Sequence, residues 1–302
     1  MLTEQKEKNM GKNYLCLDTG GTSVKFSVCD ENGQILSRGK MPVGKTLEEF
    51  LNQIQTIYKE TTPIEGIACS FPGEVHSEEG VIYGISAVEH LHNCKLKQMI
   101  SERCDFKKVS MVNDANAAAL GEAWLGVGKS YKNIAFVIVG SGVGGAVIEN
   151  GNLYPGTTMN KAEIGNFPMG GMENGELLCW SCFTLEKEAQ KYSRLHQRIV
   201  NGKELMALSE KGDKEAVAYV NEFLHYMAIG CINVQFAYDP EIIAIGGGIS
   251  ENPQIIEAIC RTYKELVKGQ QMEYLQPKIV ACEQGNDANL LGALYYFLKY
   301  EK

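Results

Sequence analysis

LCLDTGGTSVKFSV, residues 15–28, places the turn-like run Asp18-Thr19-Gly20-Gly21-Thr22 between two apolar segments. Val24, Phe26 and Val28 alternate with Lys25 and Ser27, the period-2 pattern of a strand with one buried face. Residues 15–17 are apolar enough to be its partner strand. Two glycines at such a junction admit backbone conformations closed to other residues and let main-chain N–H groups come close to a ligand. Two threonine hydroxyls and one carboxylate on that turn suit a phosphate chain with its Mg²⁺. The same five residues also make an ordinary tight hairpin with an aspartate in its turn, and alone they do not choose between the two.

The rest of the chain supplies context. Its 302 residues suffice for one large or two medium domains, with 44% hydrophobic and 22% charged residues. A net charge of −8, with no long run of Lys and Arg, speaks against nucleic acid or an anionic membrane surface as partner. No stretch approaches the roughly 18 apolar residues of a membrane span, and the polar opening MLTEQKEKNMGKN lacks a signal peptide's apolar core. Ten scattered cysteines, several in strand-like runs, are expected to be reduced and mostly buried in a cytoplasmic protein.

Strand patterns at 14–18, 24–29 and 35–42 precede a helical pattern at 46–59, a strand at 64–70, a helix near 95–102 and a strand at 108–112. A helix opens at Asp114 and ends near Gly126. The order then restarts: strands at 134–139 and 144–149, a turn into a third, a helix at 215–237, a strand at 241–246, a helix at 253–268, a strand near 277–282 and a helix at 286–299. Strands followed by alternating helices and strands, twice, predict two similar α/β domains with a cleft between them.

Each half carries a glycine turn near its start. The second, Gly140-Ser141-Gly142-Val143-Gly144-Gly145, fits the loose pattern G-x-G-x-x-G, but it leads into the strand-like AVIENG and not into a helix, so the dinucleotide-fold reading fails. Two glycine hairpins facing across a cleft can instead grip a polyphosphate. A third cluster, Gly246-Gly247-Gly248, stands between a strand and a helix, where backbone can pass close to a flat base such as adenine.

Taken together, LDTGGTSVK, SFPGEV, VNDANAAALGEA, GSGVGGAVIENG, AEIGN, IAIGGGIS and DANLLGAL make the chain from about Tyr14 onward resemble the ROK family of sugar kinases and sugar-responsive repressors, within the actin/hexokinase superfamily. The resemblance implies two actin-like (ribonuclease H-like) βββαβαβα domains with an interdomain cleft. The expected layout is a disordered lead-in over 1–13, one lobe over 14–118 and a second over 119–302, the last helix being free to pack back on the first lobe. It further implies ATP and Mg²⁺, a small-molecule sugar substrate transphosphorylated at its 6-hydroxyl, and a homodimer.

Site roles follow position by position. Asp114, beside Asn113, matches the family's general base, and a hydroxyl attacking a γ-phosphoryl needs a carboxylate to accept its proton; the same position also suits a helix cap. Asp18 matches the Mg²⁺-organising carboxylate. Thr19, Gly20, Gly21, Thr22 and Lys25 fall on the first phosphate grip, Gly140, Ser141, Gly142 and Gly144 on the second, and Gly246–Gly248 on the nucleotide. Glu163 and Asn113 match sugar contacts, with Pro72 and Gly73 lining the pocket.

The sequence departs from the family where most members hold a structural zinc with one His and three Cys. Asn166 stands at the histidine position, and only Cys179 and Cys182 remain of the cysteine motif. Two such ligands do not fill tetrahedral zinc, so no zinc site is expected. The same change leaves the second sugar glutamate open between Glu186 and a gap that puts Cys182 in its place. The segment 84–92, with Ser86-Ala87-Val88 and Leu91-His92, is closer to the β-glucoside kinase branch than to the Asn-Leu of glucokinases; His92 is either a sugar contact or a loop histidine.

The expected function is therefore an ATP- and Mg²⁺-dependent kinase for a hexose or glucoside (glucose, or a β-glucoside such as cellobiose). The alternatives are a catalytically degenerate sugar-binding or sensing protein, an N-acetylmannosamine kinase or a fructokinase. A repressor of this family needs a helix-turn-helix domain ahead of the first glycine hairpin, more than the 13 residues present there.

Overall fold

The computed structural model describes residues 11–84, 86–154, 156, 162–173 and 175–301. Residues 1–10 of the expected lead-in, and Ile85 of the 84–92 segment, lie outside the described residues. Two compact units are present: residues up to Gly126 together with those from Asn286 onward, and Val127–Gly285.

In the first unit, β1 (Asn13–Thr19), β2 (Ser23–Asp30) and β3 (Ile35–Pro42) form an antiparallel meander. β4 (Gly66–Phe71) pairs in parallel with β1, and β7 (Lys108–Asn113) in parallel with β4, giving the order β3-β2-β1-β4-β7. Between them lie α1 (Leu47–Thr61), a hairpin of β5 (Glu74–His76) and β6 (Val81–Tyr83), and α2 (Leu96–Arg103). α1 starts where Thr46 accepts from the Glu49 N–H, and it buries Phe50, Leu51, Ile54, Ile57 and Tyr58 against Leu15, Leu17 and Ile67. α3 (Asp114–Leu125) follows β7 directly, and α8 (Ala288–Tyr300), from the far end of the chain, completes the unit.

α3 and α8 pack backbone to backbone. A Cβ on Gly121 would strike the Ala288 carbonyl, and one on Gly292 the Ala117 carbonyl, so nothing larger than glycine fits at the crossing. Leu290, Ala293, Leu294 and Phe297 of α8 bury themselves with Tyr14, Cys16 and Ala68 on the sheet face opposite α1.

The second unit repeats the plan. β8 (Ile134–Val139), β9 (Val143–Glu149) and the two-residue β10 (Asn152–Leu153) are antiparallel, while β13 (Ile242–Gly247) and β14 (Lys278–Ala281) continue in parallel, in the order β10-β9-β8-β13-β14. α6 (Lys214–Tyr238) and α7 (Pro253–Gly269) pack on this sheet through Phe223, Met227, Cys231, Ile255 and Ile259. Corresponding strands occupy corresponding places in the two sheets, so the repeat expected from the strand pattern is present.

Six strands and α-helices had no counterpart in the strand and helix pattern. They are the β5–β6 hairpin, a second hairpin of β11 (Pro168–Glu173) and β12 (Glu176–Cys179), α4 (Leu185–His196) and α5 (Gly202–Glu210).

Candidate active site

In the first unit the functional side chains collect where β1, β4 and β7 end. Asp18, near the end of β1, receives the Ser70 hydroxyl of β4 at 3.4 Å and faces Lys25 Nζ at 3.6 Å. Burial pushes its carboxyl above the ordinary range, while Lys25, Ser70 and Asn289 each favour the ionised form. Beyond Asp18, the chain reverses through Gly20 and Thr22, with Gly20 N–H on the Ser23 carbonyl at 2.9 Å. Thr19 is fully buried, and its hydroxyl has no partner among the described residues.

β7 ends in Asn113, and α3 starts at the next residue. Asn113 caps the helix, its Oδ1 accepting from Asn116 N–H at 3.1 Å. Its Nδ2 serves two acceptors at 3.0 Å, the Gly73 carbonyl and Asp114 Oδ1. Asp114 therefore does not cap α3 itself; its Oδ1 is held by its neighbours, accepting also from Ala115 N–H at 2.8 Å. Desolvation first, and the charge of Asp18 next, outweigh these bonds and raise the Asp114 carboxyl to about 6.

Gly73 turns the chain after Pro72 at φ +97°, and a Cβ there would press on Ser86 at 2.9 Å. Ser86 Oγ in turn accepts from Val88 N–H at 3.2 Å and stands 2.6 Å from His92 Nε2. His92 is thus linked through Ser86 to the Gly73 turn and hence to Asn113.

The second unit contains a cavity of about 730 Å³. Gly140 and Ser141 of the second glycine turn and Gly248 of the third border it together, so two segments far apart in sequence face one space. Leu185, Met206, Ala207, Ile249, Pro253 and Ile255 give it apolar walls, and Lys203, Glu210 and Asn252 give it polar ones. Gly142, Gly144, Gly246 and Gly247 stay behind the lining. Gly247 has φ +84°, and a Cβ there would strike the Val139 carbonyl, so it serves the close passage of β13 along β8.

Two residues not anticipated from the sequence fix the second glycine turn. Ser181 Oγ accepts from Val143 N–H at 3.0 Å, and Thr184 Oγ1 donates to the Ser141 carbonyl at 3.4 Å. Glu186 borders the cavity, and its Oε2 accepts from Gly202 N–H at 3.2 Å, tying α4 to the start of α5. Glu163 is exposed at the entry of a 3₁₀ turn over Ile164–Asn166 and does not border the cavity.

Cys179 and Cys182 Sγ stand 3.7 Å apart. Among the described residues no group of three His, Cys, Asp or Glu side chains is arranged to hold a metal ion. For Mg²⁺ the chemistry fits: this ion is typically held by one or two carboxylates together with substrate phosphates, and Asp18 is a partly buried carboxylate beside a glycine turn.

Two βββαβ sheets of identical order, each with a glycine turn after its first strand, define the actin-like fold class. The chain belongs to the ROK family, whose model matches residues 14–300. It is a carbohydrate kinase, in keeping with the named kinases it aligns with over most of its length. It is 30% identical to a β-glucoside kinase of Listeria monocytogenes, over 94% of this chain and 97% of that protein. Identity to a glucokinase of Halalkalibacterium halodurans is 26%, over 92% and 93%. Among solved structures, a ROK family protein from Streptococcus pneumoniae TIGR4 in complex with sucrose superposes with a TM-score of 0.90 at 29% identity, covering 96% of this chain and 99% of that one.

Proposed function

We propose that the protein transfers the γ-phosphoryl of ATP to the 6-hydroxyl of a glucose unit, with Asp114 as general base. The observation that carries this reading is the environment of Asp114, a carboxylate held by Asn113 and Ala115 and raised to about 6. A base with that affinity is ionised at neutral pH and still accepts a hydroxyl proton as the oxygen attacks phosphorus. Asn113 makes the cap bond to the Asn116 N–H, and the bonds from Asn113 and Ala115 to the Asp114 carboxylate fall on Oδ1.

Asn113, Gly73, Pro72 and His92 in the first unit and Glu163 in the second are read as the sugar contacts. A carboxylate such as Glu163 can accept from two adjacent sugar hydroxyls. Asp18, with Thr19–Thr22 and Lys25, is read as the phosphate end, and the cavity bordered by Gly140, Ser141 and Gly248 as the nucleotide site. Its apolar walls suit a flat base, and the glycines at its edge let the backbone come close to phosphate. Mg²⁺, bound at Asp18 with the nucleotide, would neutralise charge on the phosphates.

A glucoside is favoured over free glucose. The relative from Listeria is named for β-glucosides, and the streptococcal structure holds sucrose, which is also a glucose unit with a substituent. The same reading makes the protein a cytoplasmic homodimer, and no described helix is long and apolar enough to cross a membrane.

ATP consumption measured across glucose, N-acetylmannosamine, fructose, cellobiose and aryl β-glucosides tests the substrate. The highest kcat/KM is expected on a β-glucoside. A preference for N-acetylmannosamine or fructose would overturn the substrate, and no consumption with any of them would leave a sugar sensor.

A further inference from the structure

We propose that Asn289, on the C-terminal helix α8, is a positioning residue that ties together the two carboxylates of the phosphate end, Asp114 through its backbone and Asp18 through its side chain. The inference rests on the function proposed above and adds a residue from an element to which that reading gives no role.

Asn289 Nδ2 donates to the backbone carbonyl of Asp114 at 3.2 Å, across 175 positions of sequence. The same carboxamide is among the groups whose side-chain hydrogen bonds favour ionised Asp18. An amide nitrogen has two hydrogens, so one side chain can serve both acceptors. The place of Asn289 is rigidly set. α8 crosses α3 at Gly121 and Gly292 in backbone contact, so the first turn of α8 cannot slide along the helix that starts at Asp114.

Its neighbours tighten the arrangement. Asn286 Oδ1 accepts from Lys25 Nζ at 3.3 Å, and Lys25 is the cation facing Asp18. Asp287 pairs with Arg38 of β3 at 2.6 Å. Residues 286–289 therefore hold Lys25, Arg38, Asp18 and Asp114 in one frame. Without Asn289 the two carboxylates keep their own bonds to Ser70, Asn113 and Ala115 but lose the link between them. The carboxamide thus fixes the main chain at Asp114 and the side chain of Asp18 relative to each other.

The test compares Asn289→Ala with Asn289→Asp, alongside Asp114→Asn. A packing role predicts that aspartate, which keeps the shape of asparagine, is tolerated at least as well as alanine. Aspartate in the first turn of a helix is otherwise favourable. A positioning role predicts the reverse order, because aspartate removes the donor and adds a third negative charge. Expected are a kcat lowered about 10- to 100-fold in Asn289→Ala, the scale of a small misplacement at a reacting centre, and a larger loss in Asn289→Asp. Sugar affinity measured by calorimetry without nucleotide should stay within about twofold, and the Mg²⁺ concentration for half-maximal rate should rise.

An Asn289→Ala enzyme with unchanged kcat and Mg²⁺ requirement, beside an inactive Asp114→Asn, overturns the inference alone. So does an Asn289→Asp enzyme more active than Asn289→Ala. Normal turnover in Asp114→Asn overturns the reading on which both rest. Should Asn289→Ala lose its fold in thermal unfolding, Asn289→Ser, which keeps a donor, replaces it, with an intermediate kcat expected and a kcat as low as that of Asn289→Asp overturning the idea.

Discussion

Asn113 and Asp114 are adjacent in sequence and bonded through their side chains, Nδ2 donating to Oδ1 at 3.0 Å while Asn113, not Asp114, caps the helix. This division of labour leaves the carboxylate in a costly state. Burial and the Asp18 charge raise it to about 6 from an ordinary 3.8. A folded-state affinity above the unfolded one means the folded protein binds more protons, so ionised Asp114 destabilises the fold at neutral pH. Asp114→Asn is therefore expected to lower kcat by at least about 10²-fold, leave sugar binding in place and raise the thermal midpoint. The shift of about two units sets an upper bound of roughly 3 kcal/mol on the gain. Turnover close to wild type would remove Asp114 from the mechanism; a lower midpoint would contradict the charge argument.

A second buried acid bears on pH dependence. Glu188, on α4, is fully buried, and its carboxyl is pushed up to about 7 by desolvation even though Lys191 Nζ stands 2.7 Å away. Both Asp114 and Glu188 are more basic in the folded than in the unfolded chain, so their contribution to stability declines as pH rises from about 4.5 to about 7. The depressed acids Asp213 and Glu241, held by backbone N–H groups, contribute above their unfolded values and do not change within that window. Urea midpoints are expected to be higher at pH 5 than at pH 7.5, and Glu188→Gln should flatten the difference. A midpoint rising across the window would show that neither acid is raised.

Much of this was legible before any coordinates. Alternation in 24–28 and the apolar runs at 64–70 and 134–139 are local signals, and β2, β4 and β8 lie on them. The walls of the cavity in the second unit were not. α4 carries a charged sequence, KEAQKYSRLH, that buries Glu188 beside Leu185, Ala189 and Tyr192, and both α4 and α5 open on side-chain caps. Thr184 serves Lys187 N–H, while Asn201 and Glu204 form a reciprocal box. The box was readable as N-x-x-E; its function was not, because only the tertiary fold brings Gly202 to Glu186. Asn289 is a like case. Its motif was visible, yet its partners lie 175 and more residues upstream.

Metal content gives an independent check. With Asn166 at the position of the family's zinc histidine and only Cys179 and Cys182 facing each other at 3.7 Å, the purified protein is expected to contain no stoichiometric zinc. Elemental analysis after dialysis against a weak chelator measures it. One zinc per chain, lost in Cys179→Ser, would refute the expectation and require ligands beyond the described residues.

The glycine turns can be tested without confusing fold with ligand. At Gly140 and Gly248 an added Cβ meets nothing within 4 Å, and neither residue has a positive φ. Alanine is therefore sterically free at both positions in the protein alone, and thermal midpoints should move little. If the cavity they border holds the nucleotide, the added methyl lies between backbone and ligand. Gly140→Ala and Gly248→Ala should then raise the KM for ATP by about tenfold, on the order of 1.4 kcal/mol, with sugar affinity unchanged. Gly247→Ala is the contrast: its Cβ collides with the Val139 carbonyl, so it should lower the thermal midpoint whatever the cavity binds. Unaltered KM for ATP in both Gly140→Ala and Gly248→Ala would move the nucleotide out of this cavity. Weakened sugar binding in their place would mean that the cavity is the sugar site.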